Sequence, residues 1–195
     1  MPSIRRLLGV AAAFALTACD QNRPLPSGPT LTADHRSDSE REAGERSVEG
    51  EGQYDILGLA VLFSYEAEQA GSKKAKGRFR VFTDQGDGLI VDFSGKVTCL
   101  AVDPDNHRAW IGGVVKRNRS TDPAFLTDIH EHGDDIWFRV LDVGGAPGLV
   151  DRSSFIGFQG AAGIQTSAEY CAARIWPDDN ARTWPVTQGG ITVSP

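Results

Sequence analysis

The chain of 195 residues carries 26 acidic and 20 basic side chains, a formal net charge of -6. That balance disfavours phosphate-rich partners, because nucleic acids are held largely by basic side chains that displace their counterions, so no nucleic-acid binding is expected. With 22 glycines, apolar residues in short runs and one methionine, the initiator, the composition favours many strands and turns over long helices, in one folded domain.

Residues 1–18 place Arg5 and Arg6 before an apolar stretch from Leu7 to Leu16. A run of about ten residues is too short to cross a hydrocarbon core of roughly 30 Å as a helix, which predicts an export signal and not a membrane span. The segment closes with Leu16-Thr17-Ala18-Cys19, and this pattern resembles the lipobox of bacterial lipoproteins. The resemblance implies that Cys19 becomes the first mature residue, thioether-linked to diacylglycerol. Its acyl chains, palmitate among them, would then hold the protein on the periplasmic face of a cell-envelope membrane. Asp20 resembles the signal that retains such lipoproteins in the inner membrane.

Residues 19–52 read as the lipidated Cys and a disordered tether. Pro24, Pro26 and Pro29 precede a run of Asp, Glu, Arg, Ser and Gly with almost no large apolar side chain, too little to offset the entropy of ordering. Such a chain has a mean span of roughly 30 Å, enough to hold a domain clear of the headgroups.

Residues 53–195 read as an all-β domain. Ile56, Leu57, Leu59, Val61, Leu62, Phe63 and Tyr65 form a first apolar segment, taken as one strand. In Gly77–Thr83, Phe79, Val81 and Thr83 alternate with Arg78, Arg80 and Phe82, the pattern of a half-buried strand. Leu89–Phe93 predicts a third strand. Gly95–Val102 and Arg108–Lys116 predict a central hairpin whose turn holds Pro104, Asp105 and Asn106, with Val97, Cys99 and Ala101 on one face and Thr98, Leu100 and Val102 on the other. Residues 117–135 are polar and predict a long loop with a helical turn near Ala124–Ile129. Further strands are expected at Ile136–Val143, at the run from Phe155 and at Ile191–Val193, while Tyr170–Trp176 suits strand or helix. The total is about eight strands, which predicts a single antiparallel β-barrel or β-sandwich. Gly95–Leu100, Ile111–Val114, Phe138–Asp142 with Gly144, and Gly190–Val193 are similar to the strand motifs of a family of secreted bacterial β-domains. That resemblance implies the fold and carries no catalytic residue with it.

With Cys19 lipidated, Cys99 and Cys171 remain as an even pair in an oxidising compartment, which predicts a disulfide. The polar cluster Asp128, His130, Glu131, His132, Asp134 and Asp135 has metal-like character. In an extended chain Asp128, His130 and His132 would point the same way and offer carboxylate and imidazole to a zinc-like ion, although no third His or Cys follows at a characteristic spacing. Trp110 and Trp137, with Trp176 and Trp184, are candidates for a ligand groove, since aromatic faces stack on sugars and lipids; core packing is the alternative. The basic residues Lys73, Lys74, Lys76, Arg78 and Arg80 suit a solvated turn and strand face. No cofactor is implied. The expectation is a non-enzymatic envelope lipoprotein that binds an envelope protein or small ligand, or serves a structural role. The alternatives are a metal-dependent hydrolase using Asp128, His130 and His132, and an inhibitor or ligand-sequestering module.

Overall fold

A computed structural model describes residues 44–127, 130–157 and 163–195, so the leader, Cys19, the tether up to residue 43 and Asp128 lie outside the described residues. Among the described residues, the strands are β1 (Glu45–Ile56), β2 (Leu59–Ala70), β3 (Lys76–Asp84), β4 (Ile90–Asp103), β5 (Arg108–Asn118), β6 (Asp135–Leu141), β7 (Arg152–Ser153) and β8 (Trp184–Ser194). Each pairs antiparallel with the next and β8 returns to β1, so the sheet closes into a barrel and not a sandwich. Two short helices, α1 (Pro123–Thr127) and α2 (Ser167–Ala173), interrupt the meander.

The first strand corrects the expected tether, which was placed to end at Gly52. Strand β1 starts at Glu45 and pairs along its whole length with β2. Its inward positions are Val48, Gly50 and Tyr54, while Glu49, Glu51 and Asp55 face water. Gly50 is required there: a Cβ would lie 2.4 Å from Cζ and Oη of Tyr65, the residue opposite it in register. The apolar segment from Ile56 is likewise not one strand. Leu57 and Gly58 take φ of 52° and 85° and turn the chain back as a two-residue hairpin whose twist matches the sheet.

Strand β3 follows the expected alternation, with Phe79, Val81 and Thr83 inside. The two strands expected over Leu89–Val102 are one strand, β4, and its faces change partway. Val97 pairs with Gly113 and Cys99 with Gly112, so Thr98 is an extra residue, a β-bulge. Val97 therefore joins Leu100 and Val102 in the barrel interior, while Cys99 and Ala101 point outward. The expected grouping of Val97 with Cys99 and Ala101 fails because the bulge shifts the alternation by one. The run from Phe155 is not a strand either; β7 precedes it and is two residues long.

Aromatic rings fill the interior: Tyr54, Phe63, Tyr65, Phe79, Phe93 and Phe138 are all buried, and Tyr65 stacks 5.5 Å from Phe63 and meets Phe138 at a tilt at 5.1 Å. An eight-stranded barrel leaves room for such side chains or for one small ligand, and here the middle is filled. Because β7 is so short, carboxylates complete the seam between β6 and β8. Asp151 Oδ2 accepts the Ile191 N–H at 2.8 Å and Asp142 Oδ2 accepts that of Val193 at 3.0 Å.

A second apolar layer lies outside β4, β5 and β6. Helix α2 begins with a capping box between Thr166 and Glu169, ends on Arg174 in the left-handed region, and is joined to β4 by the disulfide Cys99–Cys171. It can lie this close because Gly112 has no side chain; a Cβ there would meet Ser167 at 2.4 Å and the Cys99 sulfur at 2.6 Å. With the two cysteines 72 positions apart in sequence, the chain-entropy model gives a stabilisation of about 4 kcal/mol.

Candidate binding site at the open end of the barrel

Among the described residues the expected metal cluster does not assemble. His130 takes φ of 67°, so the chain is not extended there and the two histidines part. His130 is buried, its ring stacked on Phe93 at 4.4 Å and on Phe125 at 5.3 Å and met edge-on by Phe155 at 5.9 Å. Its Nε2 lies 3.2 Å from Gly157 O. His132 is exposed to solvent. Asp128 lies outside the described residues, and among the described residues no three His, Cys, Asp or Glu side chains come close enough to share a metal ion.

The expected groove on Trp110 and Trp137 is also absent, because protein already covers both faces. Trp110 is buried beneath the segment after α2, donates to Ile175 O at 2.8 Å and meets Trp176 edge-on at 5.9 Å. Trp137 stacks on Tyr170 at 5.8 Å. In the same layer the buried Arg139 guanidinium donates to Tyr170 Oη at 3.3 Å and to Ala181 O, and lies 5.6 Å from the Trp176 ring centre. These residues fasten the outer layer to the barrel.

The open volume lies at the end of the barrel where β1 turns into β2 and β3 into β4. A cavity of about 370 Å³ is lined there by Ile56, Leu57, Leu59, Val61, Val91, Phe125, Phe155 and Trp184, with Thr83, Gln85 and Asp122 as its polar members. Hydrogen bonds fix its rim. Thr121 Oγ1 donates to Gly88 O at 2.6 Å and accepts from Ile90 N at 2.8 Å, tying the segment before α1 to the β3–β4 turn. Gln85 Nε2 donates to Asp122 Oδ2 at 2.8 Å, and Asp122 Oδ1 accepts from Ala124 N at the start of α1. Asn118 Nδ2 donates both to Phe125 O and to His130 O, which holds the Phe93, Phe125, His130 and Phe155 stack as one wall. Around this end Leu57 is 99% exposed, Leu89 41% and Leu126 45%, an apolar rim projecting into water.

Two tyrosines lie within the barrel. Burial pushes the Tyr54 phenol well above its ordinary value, partly offset by the Ile156 backbone, and Tyr54 stacks 6.1 Å from Trp184 of the cavity wall. Tyr65 is pushed up by burial first, then by Tyr54, Asp151 and Asp142. Both phenols are therefore protonated at neutral pH.

A larger depression of about 600 Å³ lies on the outer surface over β1, β2 and β8 and includes Glu49, Glu51, Ser64, Glu66, Arg78 and Thr192. Its Arg78 is already paired with Glu66 at 3.1 Å, and no apolar wall encloses it. The open end is thus the better ligand site, since an apolar cleft with a few placed polar groups is what small-molecule sites share. Trp184 was legible as a candidate; Thr83, Phe125 and Phe155 were not, because each reads as an ordinary strand or loop residue until closure of the barrel brings them together.

Fold and cavity together define, among the described residues, an up-and-down antiparallel barrel with an apolar cavity at the end where β1 turns into β2. Comparison of the chain with protein-family models, curated proteins and solved structures gave no match.

Proposed function

We propose that the chain is a lipid-anchored protein of the bacterial envelope whose barrel is a non-catalytic binding module, taking a small apolar ligand into its open end. The observation that carries the binding reading is the cavity of about 370 Å³ with eight apolar lining residues, the exposed Leu57 among them, and the exposed Leu89 and Leu126 beside it. Its volume falls in the low part of the usual range for ligand pockets, about 300–1,000 Å³. The cost of leaving so much apolar surface in contact with water is the reason for expecting an occupant.

Support for the envelope comes from the lipobox-like Leu16-Thr17-Ala18-Cys19 and from the Cys99–Cys171 disulfide, a bond that persists in oxidising compartments. The outward positions of β1 to β3 carry Glu49, Glu51, Glu66, Lys76, Arg78 and Arg80, whereas a barrel inserted in lipid needs an apolar outer band. The lipid on Cys19 would therefore supply the membrane contact. In the host bacterium, an alkyne-tagged fatty acid should label the wild-type chain and leave Cys19→Ala unlabelled.

Binding is tested with the neutral fluorophore N-phenyl-naphthylamine. One molecule should bind per chain, and Leu59→Trp, which fills the mouth from a half-exposed position, should abolish binding with the near-UV spectrum of the buried aromatics otherwise retained. Binding that survives Leu59→Trp unchanged would place the probe elsewhere and refute the reading.

A further inference from the structure

The end of the barrel that bears the cavity carries a residue that folding alone does not account for. Leu57 takes φ of 52° in the β1–β2 turn and is 99% exposed. Positive φ at the first position of such a two-residue turn favours Asn, Asp or Gly, because a larger side chain is crowded by the neighbouring backbone. A leucine here is strained and gains almost no burial in return. Where a local rule is broken without benefit to the fold, a contact outside the chain is the physical reason to expect.

Leu57 does not stand alone. Leu89 is exposed in the β3–β4 turn, and Leu62 is exposed on the outside of β2 opposite Phe82, its partner in register. Leu62 and Phe82 line an outer depression of about 340 Å³. Leu57 on one hairpin and Gln85 on the other line the same cavity, so the two tips share one mouth.

Charge says what fits these tips. The sequence has no Lys, Arg or His from Gln53 to Tyr65 or from Phe82 to Phe93, whereas Asp55, Asp84 and Asp87 are exposed there. Among the described residues none of the three is ion-paired. The salt bridges of this face, Arg80 to Asp92, Arg78 to Glu66 and Lys76 to Glu68, lie further down the ladder. Arg117 is likewise level with Ser94, below the tips. An apolar knob flanked by unpaired carboxylates complements an apolar surface flanked by cations.

We propose that the tips of the β1–β2 and β3–β4 hairpins dock a positively charged segment of a second protein. Its apolar side chains close over Leu57, Leu62 and Leu89 while its Lys or Arg side chains face Asp55, Asp84 and Asp87. An anionic lipid surface is disfavoured by the same charge. The surface stands whether or not the cavity beside it takes a ligand.

The probe is a labelled amphipathic helical peptide of leucine and lysine, titrated into the protein by fluorescence anisotropy beside two analogues, one with Glu for each Lys and one with Ser for each Leu. The Leu–Lys peptide should bind at least roughly tenfold more tightly than either analogue. Leu57→Asn should weaken it roughly tenfold while raising the urea midpoint of the protein, since Asn suits the turn that Leu strains. Asp55→Lys/Asp87→Lys should reverse the preference toward the Glu analogue. Equal binding of the Lys and Glu peptides, equal binding of the Leu and Ser peptides, or no binding at all would overturn the proposal. So would unchanged affinity in Leu57→Asn, or a lower urea midpoint in that variant, which would assign Leu57 to the fold. Phosphatidylcholine vesicles that bind the wild type but not Leu57→Asn, with no peptide bound, would make the tips a lipid contact and overturn it too. None of these failures touches the fluorophore test of the cavity.

Discussion

Replacing Gly50 with alanine adds a single methyl group, and the structure places it where no space exists. The new Cβ would lie 2.4 Å from Cζ and Oη and 2.7 Å from Cε2 of Tyr65, well inside the carbon–carbon contact distance of about 3.5–4.0 Å. Tyr65 cannot swing away easily, because its ring is held between Phe63 and Phe138 in the filled middle of the barrel. Overpacking of this kind costs about 1–3 kcal/mol. Removing a glycine from a strand returns roughly 0.5–1 kcal/mol through the unfolded chain, so the net expectation is a loss of about 1–2 kcal/mol. Urea denaturation followed by tryptophan fluorescence reads this as a lower midpoint at unchanged slope. The control is the same substitution in a Tyr65→Ala background, where the obstacle is gone and Gly50→Ala should be neutral or slightly stabilising. A Gly50→Ala protein as stable as the wild type in the Tyr65 background would refute the packing of β1 against β2, and with it the ordering of the residues expected to belong to the tether.

Removing the disulfide with Cys99→Ala/Cys171→Ala should cost up to about 4 kcal/mol in the same assay, and addition of a reductant should destabilise the wild type but not this variant. His130→Ala should cost about 2–4 kcal/mol by opening a cavity among Phe93, Phe125 and Phe155, whereas His132→Ala should change stability by less than about 0.5 kcal/mol; equal effects would contradict their placement inside and outside the barrel. Stability should also fall at alkaline pH. Tyr54 and Tyr65 have folded-state values raised above the ordinary 10.0, so their contribution is fully present below pH 10 and is lost as the pH rises toward the folded values. Stability should therefore fall as the pH rises above 10, and Tyr54→Phe/Tyr65→Phe should flatten that limb of the pH profile.

Residues whose surroundings are local were legible in the sequence. Phe79, Val81 and Thr83 alternate with Arg78, Arg80 and Phe82 on a strand that has no bulge, and the structure places them inside. Cys99 and Cys171 followed from compartment and parity alone, and they are joined. What escaped depends on partners distant in the chain. The inward face of β1 uses Gly50, which no apolar pattern reveals, because its value lies in the Tyr65 ring across the ladder. The extra residue Thr98 moves Val97 to the opposite face from the one alternation assigns, and a bulge leaves no mark in composition. Trp110 and Trp137 looked available for a ligand because the covering helix, α2, could not be docked onto β4 and β5 from periodicity. The open end draws its lining from five separate stretches of chain, from Ile56 to Trp184, and exists only once β8 has closed on β1.

The most direct test of the binding site is to record intermolecular nuclear Overhauser effects between N-phenyl-naphthylamine and the isotope-labelled protein. Contacts from the probe to Val61, Val91, Phe155 and Trp184 are the predicted result. Contacts to Glu49, Ser64 and Thr192 on the outer surface, or none at all, would contradict it.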